Sequence, residues 1–157
     1  MTDIELTADQ LLGEAGPFAA AVDGFAVREP QQSMAAAVEE AITGQRDLVV
    51  EAGTGTGKTY AYLVPVIASG RRAILSTGTR HLQDQLFHAD LPRVSAALGA
   101  APTVALLKGR SNYLCLHRLQ LTMEEGRFAR RRQAADIETV HAWSGHTRTG
   151  DISELYD

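Results

Sequence analysis

The sequence predicts an α/β domain, a parallel sheet flanked by helices and built around a phosphate-binding loop. Three observations predict it. Residues 52–59 read Ala52-Gly53-Thr54-Gly55-Thr56-Gly57-Lys58-Thr59, the [AG]-x4-G-K-[ST] spacing of a P-loop, with Ala52 where the stricter pattern has glycine. Short apolar runs alternate with helical patterns along the chain, which is the order of βαβ units. The loop itself lies between such a run, Asp47-Leu48-Val49-Val50-Glu51, and a helical pattern over 59–68. That places it at the carboxyl end of its strand.

The elements follow in order. Residues 1–24 are acidic, alanine-rich and weakly periodic; a loosely held arm is expected there, with a short helix at about 9–15. Pro30 suits a first helical turn, where the N–H it lacks would be unpaired in any case. Met34, Ala37, Val38, Ala41 and Ile42 then recur at helical spacing, and Gly44 closes that helix. The P-loop strand and helix come next. Pro65 inside the helix is expected to kink it, because its ring crowds the preceding turn. Arg72-Ala73-Ile74-Leu75-Ser76 reads as a second strand, buried on both faces. Thr79 caps a helix to about residue 89, with Leu82, Leu86 and Phe87 on one side. Leu91-Pro92 interrupts it, and 93–98 is a short helical piece. Thr103-Val104-Ala105-Leu106-Leu107 is the third strand, followed by a polar loop at 108–112. Helix is expected from Tyr113 to about Glu125, and onward through a basic stretch to about 142. Residues 144–157 carry no pattern. The chain thus divides into an arm at 1–24, a nucleotide-binding segment at 25–112 and a further segment at 113–157.

Composition bounds the reading. The chain has 157 residues, 45% of them hydrophobic, the profile of one globular domain. No apolar run approaches the roughly 18 residues of a membrane span, and the acidic start Met1-Thr2-Asp3-Ile4-Glu5 is no signal peptide. No membrane partner is expected. Cys115 is the only cysteine, which excludes an internal disulfide and fits a reducing compartment, the cytoplasm. Charge is uneven. Residues 1–51 hold ten acidic side chains against Arg28 and Arg46, whereas 108–132 hold seven basic ones against Glu124 and Glu125. A basic segment on an acidic protein is either an anion-binding face, nucleic acid being the usual polyanion, or a solvated helix face. Both readings stay open on charge alone.

The P-loop carries the chemistry. Gly53, Gly55 and Gly57 let backbone N–H groups turn inward around a polyphosphate with no Cβ in the way, and the helix dipole adds to that field. Lys58 supplies a point charge for the β- and γ-phosphates, and the Thr59 hydroxyl is a ligand for Mg²⁺. ATP with Mg²⁺ is therefore the expected cofactor. The five histidines show no metal-ligand spacing, and no Gly-x-Ser-x-Gly elbow exists.

Three further segments carry a resemblance. Phe25-x-x-Arg28-x-Pro30-Gln31-x-x-Met34 precedes the P-loop by about two dozen residues, as an adenine-reading Q-type motif does in superfamily 2 helicases. Ser76-Thr77-Gly78-Thr79-x-x-Leu82-Gln83-Asp84-Gln85-Leu86 is similar to helicase motif Ia. Lys108-Gly109-Arg110-Ser111-Asn112-Tyr113-Leu114-Cys115 is similar to the entry of an iron–sulfur insertion. Over about residues 25–120 the chain resembles the iron–sulfur superfamily 2 DNA helicases of the XPD/DinG type, and their bacterial DinG/YoaA branch in particular.

The resemblance implies a RecA-like P-loop NTPase fold, here the first part of helicase domain 1, with 113–157 the start of the iron–sulfur insertion. It implies ATP-driven unwinding of DNA with 5′→3′ polarity, a [4Fe–4S] cluster, and partners in replication or repair. Residue by residue, it makes Gln31 the adenine contact, with Gln32 the alternative. Thr77, Gly78 and Thr79 fall on the single-stranded DNA backbone; apart from the resemblance, the basic segment 108–132 is expected to offer phosphate contacts, Arg110 and Arg118 lying nearest the cluster entry. Cys115 becomes the first of four cluster ligands. The chain also departs from the family: there is no Asp-Glu-x-His element and no further cysteine. The expectation is an N-terminal fragment of a longer helicase that binds nucleotide without turning it over. A P-loop phosphotransferase and a non-hydrolysing nucleotide- or DNA-binding module are the other readings. Gln31, the Ia-like segment and the Cys115 element favour the helicase.

Overall fold

The computed structural model describes residues 6–126 and 131–156, the side chains of Arg131 and Tyr156 excepted. It divides into two compact units, one up to Ala105 and one from Leu106. The acidic start at 1–5 and the arginines at 127 and 130 of the basic run lie outside the described residues.

The first unit is helical. Its helices are α1 (Ala8–Leu11), α2 (Pro17–Ala21), α3 (Glu29–Gly44), α4 (Lys58–Ala68), α5 (Arg80–Gln85) and α6 (Leu91–Ala97), with a π-helical turn at Leu86–Asp90 between the last two. The pair α3 and α4 forms its centre, with α1 packed on both and α6 on α4 and α2. Pro30 lies in the first turn of α3, as expected. The helix ends one residue later than Gly44 suggests: Gln45 takes the left-handed conformation, φ 52°, and Arg46 N–H reaches the Ala41 carbonyl at 3.0 Å. Arg71 Nη1 closes a further carbonyl, that of Ile42, at 2.9 Å. On α3 the predicted apolar stripe is only half-buried; Gln31 and Ala35 are the buried positions.

The arm expected at 1–24 is not loose where it is described. Leu12 and Phe18 are fully buried and Leu11 nearly so, and the Phe18 ring meets Tyr60 and Phe25 at 5.6 and 5.8 Å between centroids. Glu39 Oε2 accepts from the Ala8 N–H, and Gln32 Nε2 donates to the Asp9 carbonyl at 3.0 Å, tying α1 to α3. Helices of four and five residues are too short to repeat a periodic pattern, so burial here is invisible to periodicity.

The expected parallel sheet is not confirmed. Among the described residues there is no strand, and the only β pairing is a bridge between Tyr113 and Asp151. Runs 47–51, 72–76 and 103–107 form no ladder, and several of their apolar side chains stand in solvent: Val49 is 97% exposed, Ile74 96% and Leu107 81%. The physical reason is non-locality. An apolar run becomes a strand only when another lies within about 4.8 Å to share its N–H and C=O groups.

Helix 79–98 also differs. Thr79 is its N-cap, its side chain accepting from the Leu82 N–H at 3.3 Å. Pro92 does not interrupt it. A proline ring crowds the carbonyl four residues back, and here the chain widens by one residue, with Leu91 N–H reaching the Leu86 carbonyl. Pro65 likewise lies inside a continuous α4 and is fully buried.

The second unit contains a 3₁₀ turn (Arg110–Asn112), α7 (Leu116–Glu125), α8 (Arg131–Ser144) and a 3₁₀ turn (Ile152–Tyr156). Gly126, φ 59°, ends α7, which packs on α8. Helix starts at Leu116 rather than Tyr113 because Tyr113 and Leu114 are drawn into pairing with 150–151. Within the patternless end, 147–154 is held by its own threonines: Thr147 and Thr149 hydroxyls donate to Glu154, and Gly150 and Asp151 N–H groups donate back to them.

Candidate functional site

The P-loop enters α4 through Gly57, whose φ of 80° is left-handed, as is that of Gly55 at 79°. Only glycine adopts these angles without cost. The Gly57 carbonyl then receives the Tyr60 and Ala61 N–H groups at 3.1 and 3.2 Å, the first bonds of the helix. It also accepts from Gln31 Nε2 at 2.9 Å. Contact is close enough that a Cβ on Gly57 would stand 2.1 Å from that nitrogen.

Gln31 and Gln32 therefore part company. Gln32 is committed to α1, whereas Gln31, 2% exposed, reaches the loop. Its Oε1 is buried without a hydrogen-bond partner, and a buried acceptor left unmet costs about 1–3 kcal/mol. Lys58 Nζ donates to the carbonyls of Ala52 and Gly53, both at 2.7 Å, so its ammonium spans the loop. The Thr56 hydroxyl bonds the same Gly53 carbonyl at 3.0 Å. Thr54 completes the exposed rim.

The Thr59 side chain lies one turn before the Tyr62 hydroxyl on α4. Burial pushes the Tyr62 pKa up, against the Thr59 bond that favours its ionised form, and the Asp90 carboxylate adds to the rise. Asp90 is itself buried, in the π-helical turn that packs on α4, and accepts from Gln85 Nε2 at 3.3 Å. The sequence offers no sign of this Thr59–Tyr62–Asp90 grouping, because the π turn that brings Asp90 to α4 cannot be read from periodicity.

In the Ia-like segment the Thr77 hydroxyl donates to the Thr79 carbonyl at 3.1 Å, and Gly78 and Thr79 are exposed at the start of α5. Arg110 is exposed on the 3₁₀ turn of the second unit, and Cys115 is exposed at the N-cap of α7. Among the described residues no three His, Cys, Asp or Glu side chains gather to hold a metal. One thiolate does not fit a [4Fe–4S] cluster, which takes four. No helix among them is long and apolar enough to cross a membrane.

Missed by sequence reasoning is Asp151, 8% exposed, which pairs with Lys108 at 2.7 Å. Hydrogen bonding to Lys108 holds its carboxyl down to about 2, helped by Ser153 and opposed by burial. The signal was present in Thr147-x-Thr149-Gly150-Asp151-x-Ser153, a run of hydroxyl and carboxylate residues of the kind that closes turns on their own backbone.

A family profile described as DEAD/DEAH box helicase matches residues 29–121. Over 138 residues the chain is 52% identical to the ATP-dependent DNA helicase YoaA of Escherichia coli (strain K12), covering 88% of this chain and 22% of that protein. It is 46% identical to the YoaA of Haemophilus influenzae, covering 87% and 21%. Identity to the ATP-dependent helicase DinG of Mycobacterium tuberculosis (strain H37Ra) is 39%, covering 87% and 24%. The chain thus spans about a fifth to a quarter of the length of these relatives. No solved structure matches it. More than half of the chain lies inside the profile, including Gln31, the P-loop, the Ia-like segment, Arg110 and Cys115, and the chain belongs to the DEAD/DEAH box helicase family.

Proposed function

We propose that the chain is the ATP-binding portion of a 5′→3′ DNA helicase, with residues 25–112 belonging to a RecA-like domain whose parallel sheet uses the runs 47–51, 72–76 and 103–107. The observation that carries it is the joint between Gln31 and Gly57 beside a complete P-loop. An adenine-reading side chain and a phosphate-reading loop are held in one hydrogen bond, as a site for a purine nucleotide requires. Three relatives named as ATP-dependent helicases support the reading.

On this reading the phosphates take the Lys58 ammonium from the Ala52 and Gly53 carbonyls, a charge-assisted exchange in its favour. Backbone N–H groups of 53–58 face the phosphates, and Thr59 offers its hydroxyl to Mg²⁺. Gln31 is the adenine contact. Thr77, Gly78, Thr79 and Arg110 contact phosphates of single-stranded DNA. Cys115 is at most one ligand of a [4Fe–4S] cluster; three thiolates would come from outside this chain. A single cysteine and a DNA substrate fit the cytoplasm, with replication or repair proteins as partners. Calorimetry with Mg·ATP tests the assignment: the chain binds and Lys58→Ala does not, whereas equal affinities would overturn it.

A further inference from the structure

The loop that runs into α7 is held by a segment far along the chain. Lys108 and Asp151 pair at 2.7 Å with side chains only 7% and 11% exposed. A backbone bridge, with its hydrogen bond, and one bond within the loop accompany the pair. Tyr113 and Asp151 form an antiparallel bridge, Leu114 N–H donates to the Gly150 carbonyl at 2.8 Å, and Lys108 N–H donates to the Tyr113 hydroxyl at 2.8 Å. Asp151 is itself fixed: its Oδ1 accepts from the Ser153 N–H and hydroxyl at 3.0 and 2.8 Å, and its N–H donates to Thr149 Oγ1 at 3.0 Å. Within the loop, Asn112 closes the turn by donating twice to the Gly109 carbonyl. Arg110 stands exposed on that turn.

We infer that Asp151 is a positioning residue for Arg110: by holding Lys108 it orders the loop 108–114 before a nucleic-acid phosphate arrives. The inference rests on the reading of Arg110 as a DNA contact and deepens it. A loop already ordered loses less conformational freedom on binding, which raises affinity with no new contact. A buried pair contributes little net stability but fixes geometry, since each charge tolerates few positions once desolvated. The arrangement also turns the Lys108 charge toward a carboxylate, leaving the exposed contact to a guanidinium, whose planar fork matches phosphate.

Asp151→Asn tests this by the sign of its effect. Asparagine keeps an acceptor for Ser153 and nearly the same volume, and removes the charge that holds Lys108. If charge alone mattered, losing a carboxylate beside a basic loop would tighten binding to a polyanion. Positioning requires the opposite: affinity for an oligo-thymidine strand at fixed salt falls about fivefold or more. Amide exchange at Lys108 and Leu114 rises about tenfold or more while α7 is unchanged. Unchanged or tighter DNA binding by D151N overturns the inference. Asp151→Glu, which keeps the charge, restores protection and most of the affinity. A D151E chain with protected amides that binds as weakly as D151N also overturns it. Arg110→Gln separates the two readings. If R110Q binds DNA as wild type does, the contact itself is wrong; if R110Q weakens binding and D151N does not, only the positioning role fails.

Discussion

Gln31 and Gly57 determine each other: the amide donates to the glycine carbonyl at 2.9 Å and occupies the space a Cβ on residue 57 would need. Gly57→Ala therefore meets two penalties, a left-handed φ of 80° and displacement of a buried side chain. Together these cost roughly 2–4 kcal/mol, a fall in Tm of about 5–15 °C for a chain of this length. A melting temperature within about 2 °C of wild type would show that the joint is not formed.

Lys58 separates binding from folding. Its ammonium bonds two loop carbonyls and is not deeply buried, so Lys58→Ala should leave thermal stability nearly unchanged. Nucleotide affinity should fall more than about tenfold, the worth of charged hydrogen bonds. A parallel loss of both quantities in melting and calorimetry would contradict a phosphate role.

Catalysis is expected to be absent from residues 1–157. The sequence holds no Asp-Glu-x-His element to order Mg²⁺ and the attacking water. Phosphate release measured with and without single-stranded DNA should show no stimulated turnover, and robust hydrolysis would place the acidic groups elsewhere in this chain.

Acid should release the Asp151 latch. Its carboxyl titrates near 2 in the folded chain against an ordinary 3.8, because the Lys108 bond favours the ionised form. A depressed pKa contributes stability that is complete above the ordinary value and is lost as pH falls through the folded one. Leu114 exchange protection should therefore decline between about pH 4 and 2. In D151N that step should be missing, and an identical profile in both chains would assign it to another group.

The three apolar runs should make the chain self-associate. Val49 and Ile74 are almost wholly exposed in segments rich in β-branched and aliphatic residues, and such edges invite pairing between molecules. Val49→Lys and Ile74→Lys together should lower light scattering at equal concentration. No change in scattering would mean that association, if any, uses another surface.

Local chemistry was legible from the residues alone. The P-loop, the Thr79 cap and the Pro30 helix start each depend on a few neighbouring residues, and a short sequence states them in full. Tertiary structure decided everything that needs a partner. Whether 47–51 is a strand depends on a neighbour distant in sequence, and among the described residues no run pairs with it. Leu12 and Phe18 become core only because α3 and α4 lie beneath them, and two short helices leave no periodic trace of it. Where Gln31 and Gln32 point is set by about 100° of helix rotation, which sends one amide to the loop and its neighbour to α1. Asp151 is the extreme case: its partner lies 43 residues away, and only the folded chain brings the carboxylate to Lys108.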